Sequence, residues 1–211
     1  MELHMPNGYV IFDGASLHNG ERIIAIALTS KSSNSKTGAM MQTYIITPHN
    51  PMYASKHGLD DANCGNCPHR GTPTDDPNRK QAKDRTCYVK LFQGVYQVWK
   101  QWEKGAYPTL QGHESLAMLG KDKDVRIGTY GDGGLVPRYI WDSLISDARK
   151  HTAYCHQYDN PNSSFDPMIY MVSADNLSTA QKHWGLGHRT FRVIQNVQEV
   201  DKSKEILCPA S

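Results

Sequence analysis

From Cys87 onward the chain alternates helix-type with strand-type patterns, and that alternation narrows the available folds more than any other feature. Leu91, Phe92, Val95, Tyr96, Trp99 and Trp102 recur every three to four residues with polar residues between them, which predicts an amphipathic helix ending near Gly105. A short helix over 113–119 precedes an apolar strand over 125–130. Pro137 suits the first turn of a helix over 137–150, whose apolar face is Val136, Ile140, Leu144 and Ala148 with Trp141 and Ile145 beside it. Strands are expected over 152–158, 168–173 and 190–195, with a short helix over 178–184 and a last strand over 204–211. Near-continuous apolar strands separated by helices indicate parallel pairing under helical cover. The expected fold is therefore α/β: an incomplete TIM-like barrel or an open, mostly parallel sheet. With 211 residues the chain is read as one domain, 1–211, and is short for a full eight-fold barrel. Gly131-Asp132-Gly133-Gly134 has the wrong spacing for a dinucleotide fingerprint.

The first ninety residues read as a β-rich, loop-rich part preceding the α/β part over 91–211. Strands are predicted over 8–12, 22–28 and 40–46. The polar tract over 30–38 lacks the spaced glycines that would let backbone N–H groups cradle a phosphate. It is a surface loop or, alternatively, a cofactor-contacting loop using Asn34, Lys36 and Thr37.

Between Pro48 and Arg85 the chain is punctuated by proline and shows no apolar period, so a packed core is not what orders it. Two of the five cysteines lie here, in Cys64-Gly-Asn-Cys67-Pro-His69-Arg70, and a third follows at once in Arg85-Thr-Cys87. Thiolates two residues apart can hold one metal ion, and a third thiolate with an imidazole completes a tetrahedral shell. The expectation is a zinc ion held by Cys64, Cys67, Cys87 and a fourth ligand, His69 ahead of Cys208; an iron–sulfur cluster, and metal-free thiols or a disulfide, are the alternatives. Cys155 falls mid-strand and reads as a small buried hydrophobe.

No apolar run approaches the ~18–20 residues of a membrane span, so a transmembrane helix is excluded and no membrane partner is expected. The N-terminus carries no basic segment followed by an apolar one, and an odd cysteine count with a close pair favours metal over disulfides, which together point to the cytoplasm. Net charge is +2, with a mild basic cluster of Arg70, Arg79, Lys80, Lys83 and Arg85: a solvated loop, or a patch facing phosphate.

Ligands of parallel sheets lie beyond the carboxyl ends of the strands. Those ends carry Thr129, Tyr130 and Asp132, then His156, Gln157 and Tyr158, then Ser173 and Asp175, then Gln195. The candidate catalytic residues are Asp132 as nucleophile or base, His156 as proton carrier, and Tyr130 and Asp175 beside them. Against this, Asp132 reads equally as a turn residue and Asp175 as a helix cap.

The elements Asn34-Ser-Lys-Thr-Gly38, Cys64-Gly-Asn-Cys67-Pro-His-Arg70, Arg85-Thr-Cys87-Tyr-Val89, Arg126-Ile-Gly-Thr-Tyr-Gly-Asp132 and Cys208-Pro-Ala-Ser211 resemble an uncharacterised family of phage and prophage proteins, over most of the chain. The resemblance implies a viral origin and no particular activity; members of that family continue past Cys-Pro-Ala-Ser into a cysteine-rich tail. A looser similarity in overall plan links the chain to partial-barrel enzymes. Radical S-adenosylmethionine enzymes gather their cysteines in a tighter loop than this one, and transglycosylases join a barrel to a Cys/His zinc site. Three functions follow: an enzyme acting on a nucleotide or nucleic acid at the strand-end face, a non-catalytic module with a structural zinc that binds nucleic acid or a host protein, and an iron–sulfur redox protein.

Overall fold

The computed structural model describes residues 6–29 and 39–208. Asn34, Lys36 and Thr37, the expected cofactor-contacting residues, lie outside them. Seven strands form one open sheet in sequential order: β1 (Gly8–Ala15), β2 (Arg22–Leu28), β3 (Met41–Ile46), β4 (Asp124–Tyr130), β5 (Lys150–Cys155), β6 (Met171–Ala174) and β7 (Thr190–Arg192). β1 to β3 form an antiparallel meander, and every pairing from β3 to β7 is parallel. The open α/β sheet is thus the architecture adopted, rather than a barrel.

Arg22-Ile-Ile-Ala-Ile-Ala-Leu28 is apolar on both faces because β2 is covered on both. Ile23, Ala25 and Ala27 join one buried cluster with Leu116, Leu119, Ile140, Trp141 and Leu144. Ile24 and Ile26 join a second cluster with Leu91, Val95, Val98 and Trp99. The first cluster is roofed by α4 (His113–Gly120) and α5 (Arg138–Ile145), the second by α3 (Tyr96–Glu103) and the π-type turn Leu91–Val95 before it. The aromatic stripe of α3 is therefore core packing, with the Trp99 indole N–H donating to the Pro48 carbonyl at 3.1 Å.

Several boundaries differ from the sequence expectation for identifiable reasons. The 48–85 segment does contain helices, α1 (Pro51–His57) and α2 (Asp61–Cys64). The start signal of α1 lay in Asn50-Pro51: the Asn50 side chain accepts from the Met52 and Tyr53 N–H groups, and proline fills the first turn. β5 ends at Cys155 rather than at 158, so His156 to Tyr158 form the connection beyond it. β6 starts at Met171 because the Asp166 side chain caps a turn at Met168, with Tyr170 N–H donating to the Asp166 carbonyl. Residues 204–208 form no strand: Glu205 turns back to bind Arg192 through Oε1 at 2.9 Å and Oε2 at 2.7 Å. The helix α6 (Leu177–Gly185) lies between β6 and β7. No helix among the described residues is long and apolar enough to cross a membrane.

Candidate metal centre

The cysteine loop is ordered chiefly by an arginine. Arg70 donates from Nε and Nη2 to Asp60 Oδ1 at 3.2 and 2.9 Å, from Nη1 to Asp61 Oδ1 at 2.5 Å, and to the Gly65 and Gly58 carbonyls at 3.0 and 3.2 Å. One forked cation thereby holds α1, α2 and the turn Pro68–Arg70 together. The sequence showed that this coreless segment needs a staple; the structure supplies a guanidinium–carboxylate network.

The same loop lies across the carboxyl edge of the sheet. Asn63 Nδ2 donates to the Ile45 carbonyl at the end of β3, and its own carbonyl accepts from Asp132 N–H just past β4, both at 2.8 Å. Gln157, just past β5, donates from Nε2 to the Cys64 carbonyl at 3.0 Å and accepts from Asn66 N–H at 3.2 Å. The fit leaves no room for a side chain at position 65: a Cβ there would stand 2.4 Å from Gln157 Oε1, and the backbone has φ +52°.

Held in this way, the loop sets His69 over the ends of β5 and β6. His69 Nε2 lies 3.1 Å from Asp175 Oδ1, and His156 Nε2 lies 3.4 Å from the same oxygen. The two imidazoles meet edge to face, 5.6 Å between centroids at 73°. Among the described residues this is the one group of three or more His, Cys, Asp or Glu ligand atoms that lie within 4.8 Å of one another. Donor atoms about 2.0–2.1 Å from a zinc ion and spread at the tetrahedral angle stand about 3.3 Å apart. The two separations here match that edge. His69 Nδ1 bonds Thr86 Oγ1 at 2.8 Å. Nε2 makes the hydrogen bond to Asp175 Oδ1; were Nδ1–H donated to Thr86, Nε2 would be the nitrogen left to bind a metal ion. The side chains of His69 and Asp175 are about one-third exposed and that of His156 about one-fifth, so one side of the group opens to solvent.

His156 and Asp175 come together as neighbouring strand ends. Asn176, not Asp175, caps α6 by accepting from Thr179 N–H, which leaves the Asp175 carboxylate to face the imidazoles. Asp132 and Tyr130 are placed differently. Asp132 Oδ1 accepts from Gly134 N–H at 2.9 Å and Oδ2 from His156 N–H at 2.6 Å, so its buried carboxylate ties the end of β4 to the end of β5. Burial pushes this carboxyl up, opposed by the Cys155 thiol and by those two N–H groups. Tyr130 is buried in the cluster under α3, and its hydroxyl is pushed well up by that burial.

The three loop thiols do not gather into a ligand set with His69. Cys64 packs on the apolar cluster under α3. Burial pushes its thiol well above the ordinary value and that of Cys67 up to about 12. Cys208 is exposed in the C-terminal segment, and Cys155 is fully buried at the end of β5. A protonated, enclosed thiol reacts slowly with electrophiles. In metal-free protein at pH 8, iodoacetamide is therefore expected to label exposed Cys208 well ahead of Cys64, and labelling of Cys64 should accelerate as pH rises and its thiolate grows. Peptide mass spectrometry reads the order, and prior labelling of Cys64 would contradict it.

Sequence reasoning assigned His69 to the thiols and overlooked Thr86. Nothing around His69 signals where its ring turns, because it lies on the long crossover between β3 and β4. Thr86 had no local signal at all. Comparison of the chain with protein-family models, with curated proteins and with solved structures gives no match.

Proposed function

We propose that the protein is a metal-dependent enzyme acting on a nucleotide or nucleic acid at the carboxyl edge of its parallel strands, with His69, His156 and Asp175 as ligands of a zinc ion. The convergence of two Nε2 atoms on Asp175 Oδ1, at 3.1 and 3.4 Å, carries this reading. Two imidazoles and one carboxylate with an open side are the donor set of a catalytic rather than a structural zinc. Such an ion lowers the pKa of a coordinated water toward neutrality and polarises a phosphoryl or carbonyl oxygen. In this chain Thr86 orients His69, Asp132 fixes the backbone of His156, and the Arg70 network holds the loop that carries His69. The resemblance of these motifs to phage and prophage proteins leads us to propose also a viral origin and a place of action in the host cytoplasm.

Zinc analysis and calorimetric titration test the ligand set. Wild-type protein is expected to take up one zinc; His156→Ala and Asp175→Asn are expected to lower affinity at least ~100-fold, in line with loss of one of three ligands. Cys64→Ser is expected to leave the stoichiometry at one. Zinc uptake that depends on Cys64, Cys67 and Cys87 but not on His156 would instead favour the structural thiolate site and the non-catalytic module. Brown colour in anaerobically purified protein would favour the iron–sulfur alternative.

A further inference from the structure

Among the described residues, the sheet is covered on both faces only over its first half. Along β4, Val125 and Ile127 lie in the cluster under α4 and α5, as do Ala153 and Cys155 of β5. Trp184 of α6 donates to Thr190 on that same side, at 2.9 Å. The alternate residues face the other way: Arg126 of β4, Thr152 and Tyr154 of β5, Met171 of β6 and Phe191 of β7. All five are partly exposed; Ser173, which shares this face, is buried, as are Ala153, Cys155, Val172 and Ala174 on the opposite face.

This open face has a definite chemistry. The Tyr154 and Phe191 rings pack at 4.7 Å between centroids. Tyr88, 73% exposed, comes over the face on the segment after Cys87, and its hydroxyl accepts from Arg126 Nη2 at 3.0 Å. Among the described residues Arg126 has no carboxylate partner, and its buried Nε has no hydrogen-bond acceptor. A buried guanidinium N–H without an acceptor is costly, and an anion would satisfy it. The face also runs directly into the candidate metal centre: His156 follows Tyr154 by two residues, and Asp175 follows Ser173 by two. Arg126 pairs with Thr152, four residues before His156, which puts the cation about 13 Å along the strand from the centre. One phosphate cannot touch both.

We propose that the open face of β4 to β7 is the track of a single-stranded nucleic acid, with Arg126 holding a backbone phosphate and Tyr88 and the Tyr154–Phe191 pair stacking on bases. The proposal rests on the metal-centre reading for what happens at the end of the track, but not for binding itself. Unpaired bases supply the planar faces that these rings need, and duplex DNA keeps its bases stacked on one another.

Fluorescence anisotropy with a short fluorescein-labelled oligothymidylate, in EDTA, measures the track without the metal. Wild-type protein is expected to bind, and to prefer this strand over a labelled duplex of equal length. Tyr88→Ala is expected to weaken binding about tenfold, while Tyr88→Phe, which keeps the ring, stays close to wild type. Arg126→Ala is expected to weaken binding and lower the slope of log affinity against log salt by about one. Circular dichroism melts confirm that each variant folds. No binding by wild type, binding unaffected by both alanine variants, or equal affinity for duplex would overturn the proposal. His156→Ala separates the two readings, because it is expected to lose zinc and retain the strand. Zinc bound elsewhere, with strand binding intact, removes the metal-centre reading alone.

Discussion

Arg70→Ala is expected to destabilise the protein by about 3–5 kcal/mol, the range for removing one partner of a buried ion pair. Asp60 is 4% exposed as a side chain and Arg70 19%, so deleting the cation leaves an enclosed carboxylate without its hydrogen-bonded counter-charge and only the weaker field of Arg85 to oppose burial. Two backbone carbonyls, Gly58 and Gly65, lose a donor in the same step. Asp60 already titrates higher than usual because burial outweighs the arginine beside it, and without Arg70 its carboxyl should rise further. A carboxyl raised by folding stabilises the fold most at pH below its unfolded value and loses that contribution as pH climbs through the folded one. The urea midpoint of Arg70→Ala is therefore expected to recover toward wild type on going from pH 8 to pH 4.5. Arg70→Lys should rescue little, because an ammonium cannot fork across two carboxylates and two carbonyls. Urea melts at the two pH values decide the matter; a loss under 1 kcal/mol would show that the loop is ordered by something else. Since this loop carries His69, zinc affinity should fall in the same variant.

Asp132→Ala is expected to cost about 2–4 kcal/mol, because two buried N–H groups, those of Gly134 and His156, lose their acceptor together. Its second consequence is functional. The His156 ring is placed by a backbone that Asp132 anchors, so zinc affinity is expected to drop about 10–100-fold, the scale of losing an outer-shell support. Asp132→Asn keeps one acceptor but turns an NH2 group toward the other N–H, and should fall between wild type and alanine in both measurements. Stability and zinc affinity thus move together if Asp132 is a positioning residue. If Asp132→Asn keeps both and loses only turnover, the carboxylate is the nucleophile or base that its strand-end position first suggested.

How much of this was legible differs from element to element. Strands such as 22–28 and the stripe on α3 declared themselves because burial on both faces, or on one helical stripe, leaves a period in the residue types. Helix α1 was obscured by short length and by the surrounding prolines, although its Asn50-Pro51 cap was present in the chain. Over 204–208 the expected terminal strand does not form, and Glu205 is claimed by Arg192. Among site residues, His156 and Asp175 follow from the rule that polar groups collect beyond parallel strand ends. His69 does not, since nothing in Cys-Pro-His-Arg says toward which neighbour an imidazole on a 77-residue crossover will turn.

Local residue types by themselves therefore determined the α/β character, the order of the seven strands and of the helices after Cys87, and which chemical groups stand at the ends of β4, β5 and β6. Only the tertiary structure decided that the cysteine loop is fastened by Arg70, that Asp132 is consumed by backbone N–H groups, and that His69 joins His156 and Asp175. The physical reason is that periodicity and capping report on neighbours a few residues away. The contact between His69 and Asp175 spans 106 positions and exists only because a parallel sheet places strand ends side by side beneath a long crossover.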